Sequence, residues 1–295
     1  MTEKNNQPLA EVFGFPIKNL STKADRYRKN KLCPFNNKVP SCTKDKANSP
    51  LGVCSVFHNK NAVITCPVRF REDWLIADHA AKFLFSRATS WTSLSEIRLN
   101  DKEGNTAGNI DLVLVSYDKK GKILDFGSVE IQAVYISGNV RDPFEYYLKN
   151  THKNSELNWK SGYNYPKPDY LSSSRKRLVP QMLYKGGIFK NWGKKQVVAL
   201  QKSFFDTLPM IPRVDKSKAD IAWLLYDLVL AKDSLIYKLE LVETVYSEFG
   251  PALDKIIKPE AGDISDFIGL LQEKLDEKLE GNSPDAPTLI DVINS

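Results

Sequence analysis

Gly108-Asn109-Ile110-Asp111-Leu112-Val113-Leu114-Val115, the turn Asp118-Lys119-Lys120-Gly121, and Ser128-Val129-Glu130-Ile131-Gln132-Ala133-Val134 form the stretch whose reading decides the fold. Two aliphatic and β-branched runs flank a polar turn containing Gly, which is the pattern of an antiparallel hairpin. Across such a hairpin, residue numbers that face each other sum to a constant. A turn centred near Lys119 and Lys120 therefore sets Asp111 opposite residues of about 128 to 130. Glu130 falls beside Asp111, and because side chains alternate along a strand, Gln132 shares the face of Glu130. Residues 94–99 form a preceding strand-like run that carries Glu96 toward the same patch, so 94–99, 110–117 and 123–136 read as an antiparallel meander.

Carboxylates gathered on one sheet face repel each other and cost desolvation energy, so they call for a cation, and hard oxygen ligands select magnesium or manganese. A phosphodiester suits such an ion, which polarises a non-bridging oxygen and neutralises the leaving oxygen during in-line attack by water. Each of these residues also has a plainer reading, since Asp near a strand end and Glu on a solvated sheet face are commonplace. The apolar neighbours on both sides of Glu130 and Gln132 speak against a merely solvated pair.

Outward from the hairpin, residues 71–87 carry apolar side chains at helical spacing, residues 142–148 begin a helix, and 196–200 is a short β-prone run. Residues 219–230 read as an apolar helix, 235–245 as a strand, and 264–279 as an amphipathic helix with Phe267, Ile268, Leu271, Leu275 and Leu279 on one stripe. The first thirty residues are polar and basic and read as an arm. With 42% hydrophobic and 26% charged residues, the 295-residue chain has an ordinary globular composition. It has no apolar run fit for a membrane span and no secretory leader, so a cytoplasmic protein without membrane partners is expected.

Charge is distributed unevenly. Residues 141–202 hold 13 Lys and Arg against 4 Asp and Glu, whereas 239–295 hold 4 Lys against 13 Asp and Glu. The basic segment suits a polyanion, and Arg175, Lys176, Arg177, Gln181 and Lys185, with Lys194 and Lys195, are candidates for DNA contact. Arg suits guanine edges and Lys suits phosphates. For any single Lys the alternative is a solvated surface residue.

All four cysteines, Cys33, Cys42, Cys54 and Cys66, fall within 34 residues, separated by 8, 11 and 11 residues. No C-x-x-C knuckle is present, yet the stretch is too polar to bury free thiols in an apolar core. In a reducing compartment clustered thiols are better read as metal ligands than as disulfides. Tetrahedral thiolate binding suits iron or zinc, with His58 a lesser candidate ligand.

The order of these motifs resembles the NotI-type restriction endonucleases, within the larger PD-(D/E)xK nuclease group. The residues that carry the resemblance are Cys33-Pro34-Phe35, Gly52-Val53-Cys54-Ser55, Thr65-Cys66-Pro67 with Arg69-Phe70, Gly108-Asn109-Ile110-Asp111, Glu130-Ile131-Gln132-Ala133, the run from Tyr170 to Leu178, and Ala219-Asp220-Ile221-Ala222-Trp223. The resemblance implies a bacterial, homodimeric type II restriction endonuclease of a restriction-modification pair, with a companion DNA methyltransferase. It would cut both strands of a GC-rich palindrome, leaving 5′-phosphate and 3′-hydroxyl ends. It further implies a structural iron on the four cysteines, catalytic magnesium on Asp111 and Glu130, support from Glu96, and Gln132 where the wider group usually carries lysine. Gln cannot be a base or cation near neutral pH, so it could only orient water by hydrogen bonds.

The expected fold class is therefore α/β (α+β), a mixed sheet of PD-(D/E)xK type flanked by helices. The expected divisions are a basic arm at 1–32, a four-cysteine metal fold at 33–70, a nuclease core at 71–202 and a largely helical region at 203–295 that helps dimerise. Two other functions fit the same residues: a non-catalytic metal-knot DNA-binding protein, and a structure-selective DNA repair nuclease.

Overall fold

The hairpin forms, and a large sheet grows from it. In the computed structural model, which describes residues 6–46, 49–86, 89–156, 158–159, 164–231, 233–258 and 261–280, Thr106–Tyr117 pairs antiparallel with Ile123–Gln132, and Leu112 stands opposite Val129. Trp91–Asn100 completes the meander on the outer side. On the inner side Gln196–Gln201 joins Ile123–Gln132 in parallel, Ile221–Ala231 follows in parallel, and Ile236–Ser247 closes the sheet antiparallel. The six strands lie side by side in chain order, and the sheet is mixed.

Helices cover both faces, so its inner strands are near-continuous apolar runs. On one face the helix Leu75–Leu84 sets Ile76, Ala80, Phe83 and Leu84 against Leu112, Leu114, Val129, Ile131, Val197 and Ala199. The opposite face carries Val113, Val115, Val198, Leu200 and Trp223, and receives Leu178, Met182, Phe189 and Phe249 from the chain beyond. By alternation, Asp111, Glu130 and Gln132 belong to this second face.

Much of that cover is a helical run the sequence does not announce. Tyr170–Ser173, Ser174–Leu178, Val179–Gln181, Met182–Gly186 and Gly187–Asn191 follow one another without a break, the second and fourth being π-helical. Pro180 lacks the N–H that an α-turn would use, and the widened turns lie on either side of it.

Three sequence expectations are corrected. Residues 219–230 are not a helix: Ile221–Ala231 is an interior strand, and with Ile236–Ser247 it extends the sheet past Lys202, the expected end of the core, so the described residues from 203 onward divide between strands and helices. From residue 6 onward the polar lead-in is no loose arm. Leu9–Val12 and Phe15–Pro16 form a four-stranded sheet with Val53–His58 and Asn61–Ile64, and Leu9, Val12, Phe13 and Ile17 are buried among Val53, Val56, Phe144 and Tyr147. The chain from Met1 to Ile257 is one compact unit. The second unit, Lys258–Ser295, contains the helix Ile264–Glu280, whose apolar stripe is exposed; residues 281–295 lie outside the described residues.

Candidate active site

Strand pairing between Thr106–Tyr117 and Ile123–Gln132 ends at Leu112 opposite Val129. One position farther on stand Asp111 and Glu130. There the ladder gives way to a side-chain contact: the backbone N–H of Ile131 donates to Asp111 Oδ2 at 2.8 Å. The hairpin thus delivers both carboxylates to the same place.

Their surroundings differ. Asp111 is half-buried and lines a cleft of about 410 Å³ together with Gln132, Gln181, Arg177, Tyr135 and Lys44. Glu130 is buried beneath the helical run; its Oε2 accepts from Lys185 Nζ at 2.6 Å, while its Oε1 is buried without a hydrogen-bond partner. Burial, reinforced by the charge of Asp111 and opposed by Lys185, pushes the Glu130 carboxyl up to about 8. Two close carboxylates with one oxygen wanting a partner make an oxygen donor set suited to a hard divalent cation.

Gln132 points into the same cleft and donates its side-chain amide to Gln181, so the helical run and the strand meet there through two amides. Glu96 behaves differently from expectation. Its neighbours Ser95 and Ile97 pair with Leu112 and Ile110, which puts Glu96 in the row of Asp111, but its backbone is left-handed (φ 57°) and its exposed carboxylate pairs with Lys38 Nζ at 3.1 Å. The structure gives it no contact with Glu130.

Among the candidate DNA contacts, Arg175, Lys176 and Arg177 are exposed on the first π-helical turn. Arg177 lies over the Tyr135 ring at 4.3 Å and donates to its hydroxyl at the rim of the cleft. Lys185 is not on the surface with them: it is 6% exposed, and beyond Glu130 it donates to the Asn109 carbonyl at 2.9 Å. This burial sets Lys185 apart from the exposed candidates for DNA contact. Lys194 pairs with Asp125 at 2.6 Å, and Lys195 lies over Phe83.

The family model of restriction endonuclease NotI matches residues 17–239 of the chain. This chain belongs to the NotI restriction endonuclease family. A search of the curated proteins finds no match. The family match covers the cysteine stretch, the hairpin and most of the central sheet, and makes the chain a site-specific deoxyribonuclease of type II that acts on DNA. Among the described residues no helix is long and apolar enough to cross a membrane.

The four cysteines of this NotI-family chain are free thiols, Cys54 and Cys66 buried and Cys33 and Cys42 half-buried. Among the described residues no group of three or more His, Cys, Asp or Glu is drawn together tightly enough to hold a metal. Even so, the thiols share a field. Burial first, and then the charges of its neighbours Cys66 and Cys42, push the Cys33 thiol up to about 11; Cys42 and Cys54 are raised by burial and by Cys66. Against this, backbone N–H groups of Phe35 and Asn36 favour the Cys33 thiolate, that of Lys44 favours Cys42, and that of Gly14 reaches Cys54 Sγ at 3.3 Å. These amides favour the thiolate forms, whereas burial favours the neutral thiols.

Proposed function

We propose that the chain is a magnesium-dependent type II restriction endonuclease of PD-(D/E)xK type, in which Asp111 and Glu130 hold the catalytic ion. The supporting observation is their placement at the end of one strand ladder, with Glu130 Oε1 buried and unpartnered. When bound, magnesium polarises the scissile phosphate and lowers the cost of in-line attack by water. The protein supplies the rest. Asp111 presents a carboxylate fixed by the Ile131 amide, Glu130 a carboxylate fixed by Lys185, and Gln132 an amide able to orient water beside them. Arg175, Lys176, Arg177 and Gln181 lie on the helical run bordering this cleft and are the candidate DNA contacts. Glu96 acts in support only if it leaves Lys38 when DNA binds.

The finer reading follows the family: a homodimer that cuts both strands of a palindromic, GC-rich site, leaves 5′-phosphate and 3′-hydroxyl ends, works in the bacterial cytoplasm, and is accompanied by a protecting DNA methyltransferase. Plasmid digestion with and without magnesium, followed by sequencing of the fragment ends, tests it. Discrete fragments with a common terminal sequence support it. A mobility shift without cutting would instead indicate a DNA-binding protein, and nicks at flaps or mismatches a repair nuclease.

In this reading the four cysteines hold a structural iron or zinc. Metal binding to thiols displaces protons and adds its free energy to folding. Cys54→Ser and Cys66→Ser should therefore each reduce bound iron plus zinc from about one per chain toward none, with a fall in melting temperature. Elemental analysis of the purified variants checks this, and metal-free wild type that melts no lower than the loaded protein would count against it.

The proton on Glu130 predicts a pH dependence. Below about pH 8 the metal-free carboxyl keeps its proton, which a divalent ion must displace. The half-saturating magnesium concentration should fall by up to about tenfold per pH unit as pH rises toward that value, then level off. Metal-free stability runs the other way. Between the ordinary value of 4.5 and about 8, the folded state holds a proton that the unfolded state has released, so stability falls as pH rises through this window. Magnesium titrations and urea unfolding at a series of pH values would show both slopes, and a flat magnesium requirement would rule out the protonated carboxyl.

A further inference from the structure

Lys185 is a buried cation that the proposed chemistry leaves without a task. It sits on the second π-helical turn, one turn beyond Gln181, and only 6% of it is exposed. Two of its three N–H groups are engaged, one on Glu130 Oε2 at 2.6 Å and one on the Asn109 carbonyl at 2.9 Å. Its partners therefore come from both strands of the hairpin, just where the ladder ends. An ammonium placed in this way cannot reach a phosphate on the surface. It can fix one oxygen of a carboxylate and leave the other turned elsewhere.

That is the arrangement found: Oε2 is held and Oε1 has no partner. Asp111 is tied in a parallel manner, with Oδ2 on the Ile131 amide. We propose that Lys185 is a positioning residue of the metal site, holding Glu130 by one oxygen so that the other, together with Asp111, is presented to the divalent ion. It also offsets the mutual repulsion of the two carboxylates once both are ionised, and through Asn109 it pins the strand that carries Asp111. The inference rests on the reading of Asp111 and Glu130 as metal ligands.

The test measures divalent-ion binding as well as cutting. Manganese binding to full-length protein, followed by electron paramagnetic resonance in the absence of DNA, should weaken about tenfold or more in Lys185→Met, the range seen when a residue orienting a metal ligand is lost. In magnesium-dependent cleavage the half-saturating ion concentration should rise and kcat should fall, while KM for DNA stays within about twofold. Lys185→Arg, which keeps the charge and donors, should recover part of the loss. Unchanged manganese binding with a raised KM for DNA would overturn the proposal and return Lys185 to the DNA contacts. A loss of melting temperature with unaltered ion binding would make it merely structural.

Should Lys185→Met not fold, acylation of wild-type lysines, read by mass spectrometry, decides. Lys185 should be slow to react whether or not DNA is present, whereas Lys176 should be protected only by DNA. Ready acylation of Lys185 that DNA suppresses would overturn the proposal. Asp111→Asn separates the two layers of inference. If that variant cuts normally with magnesium, the metal-ligand reading itself fails; if it is inactive while Lys185→Met binds manganese normally, only the role of Lys185 fails.

Discussion

Asp111→Asn should cut DNA about a thousandfold more slowly than the wild type at saturating magnesium, since a lost ligand forfeits several kcal/mol of charge stabilisation and each 1.4 kcal/mol is tenfold in rate. Asn is the informative substitution. Asp111 Oδ2 accepts the Ile131 N–H at 2.8 Å, and an Ala there would leave that amide unsatisfied at a cost of about 1–3 kcal/mol. Asn keeps an acceptor oxygen and removes only the charge, so melting should barely move while cutting collapses. Affinity for DNA should hold or tighten, because a negative charge has left the path of a polyanion. Glu130→Gln should fall to a similar degree. Cleavage kinetics beside a filter-binding titration make the comparison, and an Asn variant that cuts at the wild-type rate would dispose of the site.

The site was legible in sequence to the extent that local rules determine it. Alternating residues and a Gly-bearing turn place Asp111 against Glu130, and no distant part of the chain is needed to predict that pairing. Glu96 was read from the same rule, and its row in the sheet is right, but the left-handed backbone and the attraction of Lys38, 58 residues away, carry its carboxylate elsewhere. Lys185 was illegible. Nothing in its own neighbourhood distinguishes a buried lysine from a surface one, and its partner lies 55 residues upstream.

The misread elements share a cause. Ile221–Ala231 is apolar on both sides because helices cover both faces of the sheet, and such a run carries neither the period of two nor that of 3.6. The helical run 170–191 was hidden by Ser172-Ser173-Ser174, Pro180 and Gly186-Gly187, residues that usually interrupt helices. Packing of Leu178, Met182 and Phe189 against the sheet overrides those preferences. The N-terminal strands are too short for a periodic signal, and Lys23, Arg26, Arg28 and Lys29 obscured the buried Leu9, Val12 and Phe13.

The largest stability effect should come from Arg69. Its guanidinium is fully buried, donates from Nε to Glu11 at 3.1 Å and from Nη1 to Glu72 at 2.6 Å, and reaches the Tyr237 carbonyl at 2.9 Å. The ring of Phe35 lies 4.2 Å from it. Glu11 belongs to the small N-terminal sheet and also accepts from Ser55 Oγ, whereas Glu72 receives the Leu239 amide from the last strand of the central sheet. One cation therefore joins two sheets through two buried carboxylates. Burial raises the Glu11 pKa despite Arg69, so without the guanidinium Glu11 would have to take up a proton or remain charged without compensation. Arg69→Met, similar in reach and free of charge, should cost about 3–5 kcal/mol, the usual penalty for removing one partner of a buried ion pair. Replacing all three residues, with Glu11→Leu and Glu72→Met added, should recover part of that loss, because it removes the stranded charge but leaves the Leu239 amide and the Ser55 hydroxyl without their acceptors. Urea unfolding of the single and triple variants separates the two accounts. A triple variant no more stable than Arg69→Met would mean that the hydrogen bonds to Ser55, Leu239 and Tyr237 hold the sheets together, and not the balance of charge.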